Sequence, residues 1–133
     1  MKVVLDTNVF ISGVFFGGPP YLILQAWRDG IIQLVISPEI LDEYRRVGEI
    51  LAEEHPGVDL EPMLEFVSQI ADVFAAPPLS ERVCEDPDDD KFISCALASA
   101  SRVIISGDKH LLKETGFQDI EVLKPRDFLD RYL

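Results

Sequence analysis

Short runs of β-branched and aliphatic residues recur along this chain, and stretches with helical spacing separate them. Residues 2–5 (KVVL), 33–36 (QLVI) and 103–106 (VIIS) read as strands, and 121–123 (EVL) as a weaker fourth. Helices are expected from Pro19-Pro20 to Asp29, from Pro38 to about Glu53, and over 60–75, where Pro77-Pro78 would end the third. Further helices are expected over 90–101, 109–115 and 125–132, and Ser37 is placed to cap the one that starts at Pro38. Strands joined through helices have to run parallel, because a parallel neighbour is reached only by a crossover. The expected fold class is therefore α/β, a three-layer α/β/α arrangement around a mostly parallel sheet of four to five strands. Such sheets bind ligands beyond the carboxyl ends of their strands, where the strand order reverses.

A chain of 133 residues, 47% of them hydrophobic, suffices for one core, so residues 1–133 are read as a single domain. No apolar run approaches the ~18 residues of a membrane span, and Asp6 interrupts the N-terminal apolar run too early for a signal peptide. A cytoplasmic protein without a membrane partner is expected. Cys84 and Cys95 lack the spacing of a zinc site, His55 and His110 are isolated, and both cysteines are read as reduced thiols. The net charge of −12, from 24 acidic and 12 basic residues, opposes nucleic-acid binding unless something in the site reverses it.

Four places hold acids that solubility does not explain. Asp6 directly follows the first strand, and Asp108 lies just past 103–106, after a Gly107 that permits a tight turn. Glu43 lies on the apolar stripe of its helix, three residues after Ile40 and four before Val47, where a carboxylate needs a cation, a metal or strong donors. The run Glu85-Asp86-Pro87-Asp88-Asp89-Asp90 opens a helix whose apolar face is Ile93, Ala96, Leu97 and Ala100. One cap accounts for one Asp there, not four. Asp90, one turn before Ile93, points inward, but Asp88 or Asp89 could serve in its place.

Carboxylates gathered in one crevice repel, and a divalent cation relieves the repulsion. Oxygen-only ligation selects Mg²⁺ or Mn²⁺, and one ion or two can support in-line attack of water on phosphorus. Bound ions would also make an acidic cleft attractive to phosphate, with Arg45, Arg46, Lys91 and Lys109 as candidate phosphate contacts nearby.

The segments VVLDTN (3–8), SPEILDEY (37–44), DPDDDKFI (86–93) and IISGD (104–108) resemble, in order and spacing, the PIN-domain family, in particular the VapC-like toxin ribonucleases of prokaryotic toxin–antitoxin pairs. The resemblance implies a catalytic and metal-binding quartet of Asp6, Glu43, Asp90 and Asp108, with Asn8 and Ser106 in support. It also implies Mg²⁺- or Mn²⁺-dependent endonucleolytic cleavage of single-stranded RNA, an antitoxin partner and a homodimer. Two other enzyme-like folds share a strand followed by Asp. A haloacid-dehalogenase-type phosphatase would use Asp6 as nucleophile but needs an acid where Asn8 stands, and a receiver-like phosphoacceptor domain needs paired acids after the first strand. A non-catalytic binding module of the PIN type is the remaining alternative.

Overall fold

The computed structural model describes residues 1–133. Five strands, β1 (Lys2–Leu5), β2 (Gln33–Ile36), β3 (Asp72–Val73), β4 (Val103–Ile105) and β5 (Glu121–Leu123), make one parallel sheet in the order β3-β2-β1-β4-β5. β1 is central: Val3 lies opposite Leu34 on one side and Val103 on the other. Buried on both faces, it reads as a continuous apolar run, and Val3, Val4 and Leu5 are at most 1% exposed.

Seven helices surround the sheet: α1 (Thr7–Phe15), α2 (Pro19–Arg28), α3 (Pro38–Glu54), α4 (Glu61–Ile70), α5 (Asp90–Ser99), α6 (Lys109–Leu112) and α7 (Pro125–Tyr132). The chain first moves outward from β1 through β2 to β3, then returns to the other side of β1 for β4 and β5. Right-handed crossovers taken in opposite directions put their helices on opposite faces, which gives the three layers expected from the sequence. α1 packs on α2 and α3, whereas α5 lies across β1, β2 and β4. The reversal of strand order falls between β1 and β4, so the crevice opens beside Asp6 and the residues following Ile105. No single helix is long and apolar enough to cross a membrane.

Two elements differ from the sequence expectation. The helix expected over 60–75 stops at Ile70, and Asp72–Val73 pair with Val35–Ile36 instead. Ala71 is extended, and the Phe74 amide donates to the Ile36 carbonyl at 2.8 Å. The open edge of β2 offers backbone partners that a fourth helical turn would leave unused. The second difference is α1, which carries no amphipathic signal because Thr7, Val9, Phe10, Ile11, Gly13 and Phe15 are all buried. Gly13 allows the chain to fold back closely here: a Cβ at that position would sit 2.9 Å from the Pro20 carbonyl oxygen.

The cap expected at Ser37 is present, with Oγ accepting from the Ile40 amide at 3.3 Å, and Pro38 occupies the first turn of α3. Farther along α3, fully buried Tyr44 stacks on Phe10 with ring centroids 4.2 Å apart, and its hydroxyl donates to the Leu5 carbonyl at 2.6 Å. This hydrogen bond joins the residue after Glu43 to the residue before Asp6. Tyr44→Phe is expected to lower stability by about 1–2 kcal/mol, the cost of a buried hydrogen bond lost with little change in volume. A urea unfolding midpoint unchanged from wild type would show that the hydroxyl contributes nothing.

Candidate active site

β1 delivers Asp6 to the crevice, where it is 5% exposed. Its amide extends the β1–β4 ladder by donating to the Ile105 carbonyl at 3.0 Å, and its own carbonyl accepts from Val9 and Phe10 to start α1. Although Asp6 precedes the helix, its side chain makes no capping hydrogen bond. The carboxylate is held instead by Ser106, fully buried, whose hydroxyl donates to Oδ2 at 2.6 Å. Burial pushes the Asp6 pKa up, against the lowering effect of the Ser106 hydrogen bond, and the charges of Asp108 and Glu43 raise it further.

β4 supplies the facing group. The Asp108 amide donates to Ser106 Oγ at 3.0 Å, so Ser106 links the acids that follow the two central strands. Asp108 Oδ1 accepts from the His110 amide at 2.8 Å and so caps the short helix α6. Its second carboxylate oxygen has no such bond.

α3 brings Glu43 in from the side of the crevice, on the apolar stripe, with its side chain 16% exposed. Oε2 accepts from the Thr7 hydroxyl and Oε1 from the Lys91 ammonium, while the Arg46 guanidinium stands 3.7 Å from Oε1. Thr7 escaped the sequence reading of the site. Its signal was its place, directly after Asp6 and at the start of a helix that was itself not recognised.

The acidic run resolves into distinct jobs. Asp86 Oδ1 accepts from the Asp88 amide at 3.0 Å and caps a 3₁₀ turn, Pro87–Asp89. Asp88 is exposed. Asp90, the acid selected by its spacing to Ile93, turns toward the preceding loop, where Oδ1 accepts from the Cys84 amide at 2.6 Å and Oδ2 from the Val83 amide at 3.0 Å. Asp89 is the acid that senses the others. Its pKa is pushed up to about 6, by burial first and then by the charges of Asp108, Asp6, Asp86 and Glu43. Its Oδ2 is buried without any hydrogen-bond partner.

The remaining expected residues are more dispersed. Asn8 has an exposed side chain. Arg45 pairs with Glu49 and Glu61, at 3.8 and 3.3 Å, rather than with the acids of the crevice. Arg46 and Lys109 are exposed at the rim. Lys91 lies within the cluster on Glu43. Both cysteines are buried and unbridged, and burial raises their thiol pKa values, well above the usual thiol range at Cys84 and to about 12 at Cys95.

Asp6, Glu43, Asp89 and Asp108 thus come from four separate segments into mutual electrostatic range. Their oxygens suit a hard divalent cation, and the buried, partnerless oxygen of Asp89 is a donor that such an ion would satisfy. As placed, however, no three acidic, histidine or cysteine side chains stand close enough to clasp one ion. Glu43 is occupied by Lys91.

Because burial and neighbouring acids raise the Asp89 pKa, its stabilising contribution is present below the unfolded value of 3.8 and is lost as pH rises through about 6. Without divalent ions, Asp89→Asn should therefore unfold at higher temperature than wild type at pH 7.5 and at the same temperature near pH 4. A melting difference that does not change with pH would mean that Asp89 is not under electrostatic pressure.

The sequence profile of the PIN domain matches residues 2–110, which contain every acid of the cluster. An uncharacterised protein from Methanocaldococcus jannaschii is 32% identical, over 99% of this chain and 92% of its own length. No solved structure matches. PIN domains are generally nucleases and typically bind divalent metal ions, and neither phosphatase nor receiver chemistry is needed to explain the acids. By its fold and its sequence profile, this chain belongs to the PIN-domain family.

Proposed function

We propose that this protein is an endoribonuclease that depends on Mg²⁺ or Mn²⁺ and cuts single-stranded RNA, as the toxin of a toxin–antitoxin pair. Asp6, Glu43, Asp89 and Asp108 are its metal-binding acids, with Asp89, an alternative the sequence left open, in the role that spacing and the family resemblance gave to Asp90. The carrying observation is the buried, unpartnered Asp89 oxygen among three acids from other elements. Asp90, with both oxygens engaged by backbone amides, anchors the loop that presents Asp89.

One or two divalent ions in this crevice would activate water and offset charge on the scissile phosphate. The protein's own groups prepare that chemistry. Ser106 fixes the Asp6 carboxylate and, through the Asp108 amide, sets its distance from the second strand end. Thr7 orients Glu43. Arg46 and Lys109, exposed at the rim, are the cations available to the RNA backbone, and the net charge of −12 confines attraction to the loaded cleft. Exposed Phe16, Tyr21 and Leu22, on and beside α1 and α2, give a second copy or an antitoxin segment an apolar surface to cover.

Purified protein should cleave single-stranded RNA with Mg²⁺ or Mn²⁺ and not in excess chelator. Asp6→Asn should lower the rate by at least about 100-fold, beyond the 10–100-fold typical of losing a group that merely supports a metal ligand. Equal cleavage by wild type and variant would point to a contaminant and sink the reading.

Asp89 and Asp90 separate cleanly. Asp89→Asn should lose activity on a similar scale while staying folded at neutral pH. Asp90→Ala should lose about 1–3 kcal/mol of stability, since it strands two backbone amides. A stable, inactive Asp90→Ala beside an active Asp89→Asn would return the ligand role to Asp90.

A further inference from the structure

The 12 cations of this chain face 24 acids, and most of them are engaged. Arg45, Arg46, Lys91, Lys113 and Arg131 pair with carboxylates, and Lys2 and Arg82 donate to backbone carbonyls. Arg28, Arg102, Lys109, Lys124 and Arg126 are exposed and make neither an ion pair nor a side-chain hydrogen bond. Free surface cations are commonly just solvated, so their position decides what they can do.

Two of the five lie away from the crevice. Arg28 ends α2 ahead of β2, and Arg102 directly precedes β4, both toward the amino end of the sheet. The other three follow the carboxyl ends of β4 and β5. Lys109 adjoins Asp108 at the start of α6. Leu123 pairs with Ile105, and its carbonyl accepts from the Ser106 amide at 2.9 Å, so Lys124 leaves β5 beside the serine that holds Asp6. Arg126 follows in the first turn of α7, and Asp127 next to it forms no ion pair with any of the three. These cations step outward from β1 over two strand spacings, about 10 Å.

The opposite direction, over β2 and β3, offers no such path. There Arg46 stands 3.7 Å from Glu43, Arg45 is held by Glu49 and Glu61, and Arg82 by the Cys84 and Glu85 carbonyls. Glu39 adds an exposed acid on that side.

We propose that Lys109, Lys124 and Arg126 form a track for a phosphodiester backbone, along which single-stranded RNA leaves the crevice over β4 and β5 on one side of the cleavage position. This rests on the nuclease reading and adds the direction in which the substrate lies. With a net charge of −12, the rest of the surface repels a polyanion, and the free cations on this one edge steer it. Phosphate contacts fix register and orientation without reading bases, so the track sets strand polarity and not sequence preference.

Steady-state cleavage of a labelled single-stranded RNA tests this with wild type, Lys124→Gln/Arg126→Gln, and Arg28→Gln/Arg102→Gln, which removes the same charge at the other end of the sheet. The first variant should raise KM about tenfold at ~0.1 M salt with kcat unchanged, since binding is lost equally from ground and transition states. Its log KM should climb with log salt on a slope smaller by about 1, as expected for roughly two single-strand phosphate contacts. The second variant should stay within about twofold of wild type, because exposed charges that far off are screened. Shortening the RNA on one side of the cut should abolish the difference between the first variant and wild type, and shortening it on the other should not. An unchanged KM, an equal rise in both variants, or a difference that survives trimming on either side overturns the track and leaves cleavage standing. If wild type cuts no RNA, the nuclease reading fails, and fluorescence anisotropy with the same RNA decides the track alone. Tighter binding by wild type than by Lys124→Gln/Arg126→Gln then sustains it, and equal or absent binding removes it.

Discussion

The crevice depends on one buried hydrogen bond, from Ser106 to Asp6, at the seam where the direction of the sheet reverses. Parallel pairing of β1 with β4 brings residues a hundred positions apart to adjacent strand ends. A carboxylate as buried as Asp6 is costly, and a single hydroxyl does not fully satisfy it. The seam therefore holds a charge that the fold alone does not neutralise. Each neighbouring feature responds to that charge: Asp108 is drawn in by the same serine, Glu43 is matched by a lysine, and Asp89 is left with a raised pKa and an unpaired oxygen.

Functional sites commonly violate a local rule that the rest of the fold obeys, and this one violates several together. A lysine at a helix N-terminus, a carboxylate on an apolar stripe and a buried oxygen without a partner would each lower stability in isolation. They offset one another only because the α3, α5, β1 and β4 segments converge. The strain is concentrated at the crevice, while the apolar residues around it form one contiguous core.

Much of this arrangement was visible in the sequence because it is local. The apolar runs marked β1, β2, β4 and β5, the Ser37-Pro38 pair marked the start of α3, and helical spacing put Glu43 on the inward side. What stayed hidden depends on distant partners. β3 is two residues that become a strand only because β2 has a free edge, and α1 is wrapped by neighbours on so many sides that no polar face remained to reveal its period. Three consecutive aspartates look alike until the loop before them is placed: the Val83 and Cys84 amides take Asp90 and leave Asp89 to the crevice. Lys91, a plausible phosphate contact by proximity, has its partner 48 positions away on another helix.

The Tyr44 hydroxyl on the Leu5 carbonyl has one more implication. Tyr44 and Leu5 are the chain neighbours of Glu43 and Asp6, so the hydrogen bond joins the backbones that carry two of the acids. It works as a strut, with the Phe10 ring stacked against it to stop the phenol from pivoting. The spacing of the two backbones that carry those carboxylates is then a property of the scaffold rather than of whatever lies between them. Side chains can rotate without the frame that supports them widening.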